Sequence, residues 1–417
     1  MNPLRICIDA RLNGGESGGI ESVVIGMASG LSGLTDGDEQ YLFLAQAGAD
    51  AWIRPYVGGP CRMLYAPSTA PRRFMQWLNA TLPAVRSTWR RLAPPDWRLL
   101  RLPRSDGTIE KAGIDVMHFT YQAAFLTGVP SIYHPHDLQH LHLPEFFNPY
   151  VRRSREITYR AYCEQARMVP VTASWGKCDL LQHYGLAEEK VQLVPWAPVL
   201  EAYPSPSAGD LAAARRKFCL PEVFVFFPSQ TWAHKNHMGL LEALAILRDR
   251  YDLRAPLVCS GRLTEFHAEI RGRVRQLRLA DQVQFLGFVS PLELQCVYRL
   301  CRCVVIPTKF EAASGPLWEA FAAGVPAACS NVTSLPDQAG DAALLFNPCK
   351  PEEIAGAICQ LWRDEALRRS LVERGKRNVA RFTWERTARI FRAHYRRIAN
   401  RCLSEEDHTL LAAPPLL

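Results

Sequence analysis

Two glutamates in the last third of the chain have a spacing that could do chemistry. Glu311 and Glu319 stand with seven residues between them, in the stretch Phe310-Glu-Ala-Ala-Ser-Gly-Pro-Leu-Trp-Glu-Ala320. The apolar run 303–307 before them predicts a buried parallel strand. The alanine-rich stretch after them predicts a helix that stops at Gly324. One carboxylate is therefore expected in a loop at the end of a strand, and the other one turn into the next helix.

The start of this helix favours a bound anion. Pro316 suits the first turn, because its missing N–H would have no partner there, and Ser314 or Gly315 can cap the helix. The free N–H groups of that turn attract negative charge. One glutamate can then reach past the anion and the other can reach a hydroxyl beside it, which suits a nucleotide-diphosphate sugar. Taken alone, such a pair of glutamates is equally an ordinary acidic helix start.

Three further segments place polar or flexible residues at the ends of predicted strands. A strand at 4–9 runs into a glycine-rich loop at 10–21, which lets backbone approach a ligand closely. The loop is not GxGxxG, and no acid ends a clear second strand, so a dinucleotide site is not supported; a flexible turn remains the alternative. Lys235 follows the strand that opens at 223 and begins a helix. A lysine there can stabilise a phosphate leaving group or can be an ordinary solvated residue.

A histidine-rich run follows the strand Ser131–His134. His136 and Asp137 come at the carboxyl end of that strand, where α/β sheets place ligands. Four histidines fall within residues 134–142, which could indicate a metal. No HExxH spacing and no cysteine partner supports that reading. We expect one or two active-site histidines, structural roles for the others, and no metal site.

The segment from about Phe224 to Arg381 closely resembles the C-terminal half of retaining glycosyltransferases of family 4. The resemblance rests on the two glutamates and on the motifs that follow them, Ala323-Gly-Val-Pro326, Ser334-Leu-Pro-Asp337 and Gly340-Asp-Ala-Ala-Leu-Leu-Phe346. The N-terminal half resembles the family more loosely. The resemblance implies an α/β GT-B fold, in which two doubly wound, Rossmann-like domains with parallel sheets face a central cleft.

The resemblance also implies roles for individual residues. Glu319 would accept hydrogen bonds from the ribose hydroxyls, Glu311 would lie beside the transferred sugar, and His136 near the donor sugar and acceptor. The family often carries an arginine where this chain has Ser229, so a second phosphate-binding cation would come from elsewhere, with Arg262 as the candidate. The expected catalytic residues are His136, Lys235 and Glu311. The expected donor-binding residues are Gly18, Gly19, Ser229, Lys235, Arg262, Ser314, Gly315, Pro316, Leu317 and Glu319.

The implied reaction keeps the configuration of the transferred sugar. The departing phosphate would help to deprotonate the acceptor in a same-face displacement, so no protein nucleophile is required. Helix N-termini and Lys235 can stabilise the leaving group without a metal, and no cofactor is expected. Asp36-Gly-Asp38 matches the metal-binding DxD motif of the other glycosyltransferase fold, but we interpret it as a solvated turn.

The length and composition fit a two-domain protein. A chain of 417 residues is too long for one core. We expect a first domain at 1–200 with an insertion at 70–110, a linker at 197–212, a second domain at 201–384, a helix at 385–405 that crosses back to the first domain, and a disordered tail at 406–417. No apolar run approaches the ~20 residues of a membrane span, no secretory signal is seen, and thirteen dispersed cysteines favour a cytoplasmic location.

Residues 70–104 carry most of the net charge. Eight arginines against Asp96 give +7 of the total +8, and tryptophans and leucines lie between them. Basic residues mixed with Trp and Leu are typical of contact with an anionic membrane surface. We therefore expect peripheral attachment to the inner face of the cytoplasmic membrane, with a solvated insertion as the alternative, and no nucleic-acid partner.

The expected substrates follow from the resemblance to bacterial transferases of surface-polysaccharide assembly. GDP-mannose is the first choice of donor, with rhamnosyl or glucosyl transfer from dTDP- or UDP-sugars as the alternative. The acceptor is expected to be a saccharide, free or linked to polyprenyl diphosphate. The alternatives from other classes are an NAD-dependent oxidoreductase, a pyridoxal-dependent phosphorylase of the same fold, and a non-enzymatic basic protein of the membrane surface.

Overall fold

A computed structural model describes residues 2–15, 18–66 and 102–414 of the chain. Residues 67–101, which hold almost all of the basic aromatic stretch, lie outside the described residues. The expectation of membrane contact through that stretch therefore stays a prediction. Within the described residues, no helix combines the length and the apolar character needed to cross a membrane.

The N-terminal half is built on a five-stranded parallel sheet of order β3-β2-β1-β4-β5. Its central strand is buried on both faces, as a parallel sheet covered by helices requires. The strands are β1 Arg5–Asp9, β2 Gln40–Gln46, β3 Cys61–Ala66, β4 Val116–Phe119 and β5 Ser131–Tyr133. The helices of this half are α1 Gly19–Ser32, α2 Thr108–Lys111, α3 Gln139–His142, α4 Pro149–Gln165 and α5 Ser174–Tyr184.

The C-terminal half is built on a second parallel sheet, of order β10-β9-β8-β11-β12-β13. The strands are β8 Val225–Pro228, β9 Leu257–Ser260, β10 Val283–Phe285, β11 Cys303–Ile306, β12 Ala327–Ser330 and β13 Ala343–Phe346. The helices are α6 Ala208–Lys217, α7 His237–Tyr251, α8 His267–Gln276, α9 Pro291–Leu300, α10 Gly315–Ala322, α11 Leu335–Ala339, α12 Pro351–Arg363 and α13 Glu365–Val379. Two doubly wound sheets are thus present, as the sequence predicted.

Helix α14, Trp384–Ile398, returns from the second half to the first and packs against α1. Trp384 lies over Gly26 of α1, where an added Cβ would be 1.9 Å from the indole. Its indole N–H donates to the carbonyl of Pro198 at 3.1 Å, and Thr387 donates to the carbonyl of Pro195 at 2.8 Å. Helix α14 therefore joins the first sheet, the segment between the halves and the second half.

The structure corrects four expectations in detail. The apolar runs at 168–174 and 191–196 predict two further strands of the first sheet, but these strands form a separate pair, β6 Val169–Val171 and β7 Val191–Leu193, joined to β5 by an isolated bridge. Strand β3 was not predicted. The predicted linker is shorter, because α6 begins at Ala208 behind a capping box of Ser207 and Asp210. Part of the predicted disordered tail is helix α15, Glu405–Ala412, behind a second capping box.

The fourth correction concerns Asp36, which is not a simple solvated turn residue. It forms ion pairs with Arg389 and Arg392 of α14, and these arginines hold the pKa of Asp36 well below its ordinary value. Glu39 forms a similar pair with Arg396 at 2.6 Å. The acidic turn before β2 therefore anchors the returning helix.

Candidate active site

A cleft with a cavity volume of about 1280 Å³ lies between the two halves. The segments that follow β1, β5, β8, β9 and β11 line it, which places the cleft at the carboxyl ends of both sheets. That is the edge where open α/β sheets bind ligands. The volume exceeds the usual range of small-molecule pockets, about 300–1,000 Å³, and leaves room for two substrates.

Most of the predicted site residues line this cleft. The lining includes, among the predicted residues, Gly18, Gly19, His136, Ser229, Lys235, Arg262, Glu311, Gly315, Pro316 and Glu319. Ser314 and Leu317 do not line it, because both are fully buried. The apolar side chain of Leu317 packs in the hydrophobic core on the inner face of α10, and the main-chain N–H of Ser314 donates to the side-chain oxygen of Gln338 at 2.8 Å. The place of these two residues beside the donor diphosphate stays a prediction, to which their buried side chains would not contribute.

Lys235 and Glu311 form an ion pair in the cleft wall. The ammonium lies 2.7 Å from Oε2 of Glu311, and both side chains are largely buried. Burial raises the pKa of Glu311, and the Lys235 charge beside it opposes that rise. The lysine has three N–H donors and uses one on this carboxylate. Lys235 can therefore bind a second anion while its ion pair with Glu311 stays intact.

The backbone around this ion pair is fixed by short-range hydrogen bonds. The carbonyl of Glu311 accepts from the hydroxyl of Ser334 at 2.7 Å, and its N–H donates to the hydroxyl of Thr333 at 3.1 Å. Asn236 follows Lys235 in a left-handed conformation with φ 63° and caps α7. Its amide donates at 2.9 Å to the carbonyls of Pro307 and Pro348. Sequence reasoning did not single out Asn236, although its position before a predicted helix was a capping signal.

Glu319 lies one turn into α10, as predicted, and its carboxylate is almost completely buried. Oε2 accepts from the hydroxyl of Tyr298 at 2.8 Å. Burial raises the pKa of Glu319, and the hydrogen bond from Tyr298 opposes that rise. Glu319 still lines the cleft, so it can accept hydrogen bonds from a ligand. No pattern in the sequence connects Tyr298, in α9, with this glutamate.

His136 lies three residues beyond the end of β5, in a left-handed conformation with φ 63°. Its Nε2 lies 2.8 Å from the carbonyl of Thr120, which can only accept, so Nε2 carries the proton and Nδ1 is the acceptor of the ring. Burial lowers the pKa of His136. A neutral imidazole is therefore the form expected at neutral pH. Its ring packs edge-on against Trp196, with centroids 5.4 Å apart.

The other histidines of the run have structural partners. His134 is fully buried and shares a hydrogen bond with His118 at 2.6 Å, and His118 is also bonded to Tyr395 of α14 at 2.7 Å. His140 is paired with Glu156 at 3.3 Å. One histidine of the run, His136, lines the cleft, which agrees with the expectation that most of the four are structural.

The cations of the cleft differ from the arrangement that the resemblance implies. The Ser229 hydroxyl donates to the carbonyl of Gln230 at 3.2 Å, and it brings no charge. Arg262 is exposed in the cleft wall and has no ion pair among the residues that the structure describes. Gly261 before it has φ 126°, where an added Cβ would be 2.6 Å from the carbonyl carbon of Ser229. That close approach brings the backbone of Arg262 beside that of Ser229.

The glycine-rich loop approaches the second half across the cleft. A Cβ on Gly18 would lie 2.9 Å from the side-chain amide nitrogen of Gln230. A Cβ on Gly15 would lie 3.4 Å from the ring of Phe288. Gly15 and Gly18 therefore line one side of the cleft.

Comparisons with known proteins identify the family. The family model described as Glycosyltransferase Family 4 matches residues 17–197, and the model described as Glycosyl transferases group 1 matches residues 215–378. The two models together cover most of the chain. The chain belongs to glycosyltransferase family 4. The resemblance seen in the sequence is thereby confirmed.

Curated relatives and solved structures agree with this assignment. O-antigen chain mannosyltransferase B of Escherichia coli is 25% identical over 60% of this chain and 66% of its own length. The serotype-specific mannosyltransferase WbdA of the same species is 29% identical over 44% of this chain, which matches only 23% of WbdA. The crystal structure of Anabaena HepE in complex with UDP and glucose superposes with a TM-score of 0.66 at 16% identity, over 94% of this chain and 99% of HepE. The GT-B fold is confirmed.

Proposed function

We propose that this chain is a retaining hexosyltransferase that moves mannose from GDP-mannose to a saccharide acceptor in bacterial polysaccharide assembly. The observation that carries the proposal is the Lys235–Glu311 ion pair, 2.7 Å long, in the same cleft as Glu319 and the N-terminus of α10. A cation, a free helix N-terminus and a buried acceptor of hydroxyl hydrogens are what a nucleotide-diphosphate sugar needs.

Each residue has a role in the proposed reaction. Glu319 accepts hydrogen bonds from the ribose hydroxyls through the carboxylate oxygen that Tyr298 leaves free. The diphosphate lies against the N-terminus of α10, at Gly315 and Pro316, and against Lys235. Arg262 supplies the second cation that the family usually has at the position of Ser229. Its lack of an ion pair among the described residues supports this role, because a cation that already had a carboxylate partner would gain less from a phosphate.

Leaving-group charge grows as the glycosidic bond breaks, and preorganised cations stabilise that charge most strongly in the transition state. The departing phosphate oxygen takes the proton of the acceptor hydroxyl on the same face, so the configuration is retained. His136, neutral and with Nδ1 as acceptor, orients a hydroxyl of the sugar or acceptor. No metal is needed in this scheme.

Mannose is the first choice of donor sugar because both E. coli relatives named above are mannosyltransferases. A UDP-sugar is the second candidate, since the HepE structure holds UDP and glucose. Rhamnosyl transfer from a dTDP-sugar is the third. We further propose a lipid-linked acceptor and peripheral attachment to the cytoplasmic membrane, on the charge of the 70–104 stretch.

A donor screen tests the proposal. Purified protein is incubated with GDP-mannose, UDP-glucose and dTDP-rhamnose in the presence of EDTA, and release of the free nucleotide is followed. We expect hydrolysis of GDP-mannose above the other two, with an α-configured sugar product by NMR. If only a UDP- or dTDP-sugar released its nucleotide, the proposed donor would change and the proposal of a transferase would stand. Activity lost in EDTA and restored by magnesium would overturn the metal-free scheme, and turnover of no donor would overturn the transferase proposal.

A further inference from the structure

A compact cluster of two histidines and one aspartate lies outside the cleft, on the first half of the molecule. Nε2 of His142 is 2.7 Å from Oδ1 of Asp179, and Nε2 of His183 is 3.4 Å from the same oxygen. The three donor atoms all lie within 4.8 Å of one another. Among the described residues, no other group of three or more His, Cys, Asp or Glu side chains brings its donor atoms this close together.

The donors are held in place by the fold. Asp179 and His183 are four residues apart on α5, so they project from the same face of one rigid helix. His142 is the last residue of α3 and brings the third donor from a different element. Its ring packs against Trp175 and Phe310, with centroids 5.4 and 5.3 Å away. The three side chains are therefore assembled by packing that does not depend on an ion.

One of the distances between donor atoms already matches a tetrahedral metal site. With bonds of about 2.0–2.2 Å to zinc, two neighbouring ligand atoms in such a site lie roughly 3.3–3.6 Å apart. The His183–Asp179 distance of 3.4 Å already has that value. The His142–Asp179 distance of 2.7 Å is that of a hydrogen bond, and it would lengthen by roughly 0.6 Å once an ion replaced the shared proton.

The exposure of the cluster also suits a cation. The Asp179 side chain is 6% exposed, whereas those of His142 and His183 are 30% and 34% exposed. The carboxylate is thus buried beneath two imidazoles that solvent reaches, which leaves the fourth ligand position open to water. A divalent cation in contact with Asp179 would offset the cost of burying its charge.

We propose that His142, Asp179 and His183 bind a zinc ion that ties α3 to α5. Two imidazole nitrogens and one carboxylate oxygen are ligands that zinc commonly takes in proteins. None of the three residues lines the cleft, so the ion has a structural role and the reaction does not pass through it. The proposal stands apart from the proposed function. It departs from the expectation that the histidine run has no metal site, because the partners of His142 lie near residue 180.

Isothermal titration of the chelator-treated full chain with zinc chloride at pH 7.5 tests the proposal. We expect one tight site in the parent protein, and its loss in His183→Asn and in Asp179→Asn, which keep the side-chain size. Replacement of an exposed histidine elsewhere, His408→Asn, should leave the site intact. Zinc should also raise the Tm of the parent and of His408→Asn, but not that of the two cluster variants.

Exposed thiols are the main competitors, because Cys178, Cys219, Cys349 and Cys402 are free and exposed. Cobalt in place of zinc distinguishes them: a His-His-Asp site gives d–d bands without the charge-transfer band of a cobalt–thiolate bond. If His183→Asn does not fold, His142→Asn provides the same comparison. Three results would overturn the proposal: unchanged zinc affinity in the cluster variants, a cobalt–thiolate band, or no zinc binding at all. In the last case the three residues form a hydrogen-bonded His-Asp-His group and nothing more.

Discussion

At the scale of single residues, the two glutamates, the lysine and the cleft histidine were predicted from sequence, and their partners were not. Glu311 and Glu319 belong to one continuous motif, and Lys235 follows a recognisable strand. Tyr298, which donates to Glu319 at 2.8 Å, lies in another helix and shares no spacing with it. Contacts between elements depend on how the helices pack, and a single sequence carries no local signal for that.

Replacing Glu319 tests the ribose contact. Glu319→Gln keeps the size of the side chain and removes its charge, so the ribose hydroxyls would lose a charge-assisted partner that contributes roughly 1.5–3 kcal/mol. We expect affinity for the free nucleotide to fall by about 10- to 150-fold by calorimetry. Tm at pH 8 should not fall, because the variant no longer buries a carboxylate whose pKa is raised. Unchanged nucleotide affinity would rule out the ribose contact.

The hydroxyl of Tyr298 predicts a pH effect. Tyr298→Phe removes the donor that stabilises the Glu319 carboxylate, so the pKa of Glu319 should rise further. The carboxylate would then become protonated, and lose its affinity for ribose hydroxyls, at a higher pH than in the parent. We therefore expect the acid limb of nucleotide binding to move to higher pH, with a larger loss of affinity at pH 6 than at pH 8. Equal losses of nucleotide affinity at pH 6 and at pH 8 would mean that Tyr298 has a packing role only.

Lys235 should matter more for turnover than for binding. Lys235→Ala removes the charge that stabilises the leaving phosphate, and it also leaves the buried carboxylate of Glu311 without its 2.7 Å partner. Because leaving-group charge is largest in the transition state, kcat should fall by a larger factor than the nucleotide Kd rises.

The matched control for this prediction is Lys217→Ala, which removes an exposed lysine paired with Glu293 and should leave kcat unchanged. Lys235→Arg, which keeps the charge with a different shape, should recover part of the turnover. Retained kcat with reduced stability in Lys235→Ala would make Lys235 a structural residue.

At the scale of elements, most strands could be predicted from the sequence. The elements that were not predicted are β3, whose local signal is weak, and α15, whose capping signal was overlooked. Strands of the second sheet are short, continuous apolar runs, which a buried parallel sheet requires. Strand β3 has the pattern Cys61-Arg-Met-Leu-Tyr-Ala66, which is partly polar because the strand lies at the sheet edge. The tail helix α15 was missed although Ser404 and Asp407 have the spacing of a capping box.

The packing of α14 on α1 predicts an effect of small substitutions. Gly26 faces the Trp384 indole so closely that Gly26→Ala would place a Cβ 1.9 Å from it. The indole would have to move, and overpacking of this kind costs about 1–3 kcal/mol. Because Trp384 also lines the cleft, we expect both a lower Tm and weaker donor binding.

Gly272 in α8 provides the control, because an added Cβ there meets nothing within 4 Å. Gly272→Ala should stabilise the protein by roughly 0.5–1 kcal/mol through helix propensity. If the contact between α1 and α14 is as tight as in the structure, thermal unfolding should show a lower Tm for Gly26→Ala and a higher Tm for Gly272→Ala. A Gly26→Ala variant as stable as Gly272→Ala would contradict that packing.

At the scale of the whole molecule, the cleft exists because the carboxyl ends of two separate parallel sheets face each other. The sequence indicated both sheets, and the family resemblance supplied their arrangement. The ion pairs of Asp36 and Glu39 with helix α14 could not be predicted, since they join residues more than 350 positions apart. The distribution of charge along the chain was visible from the start, and it leads to the last prediction.

The arginines at 70–104 predict attachment to anionic membranes. They bring +7 of charge within 35 residues, and Trp77, Trp89 and Trp97 lie among them. Each cation near an anionic surface contributes about 1 kcal/mol, and tryptophan favours the headgroup boundary. We expect co-sedimentation with vesicles that contain anionic lipid and a decrease with added salt. The change of Arg86, Arg90 and Arg91 to glutamate should lower binding.

The control triple is Arg271, Arg275 and Arg278 to glutamate, which makes the same change of charge at exposed positions of the second half. If general electrostatic attraction alone holds the protein, both triples should reduce sedimentation equally. If the basic aromatic stretch is the contact, only the first triple should do so, and the tryptophan fluorescence should shift to the blue when anionic vesicles are added. Equal binding to neutral vesicles, or binding to neither kind, would remove the membrane from the proposed function and leave the soluble saccharide as the acceptor.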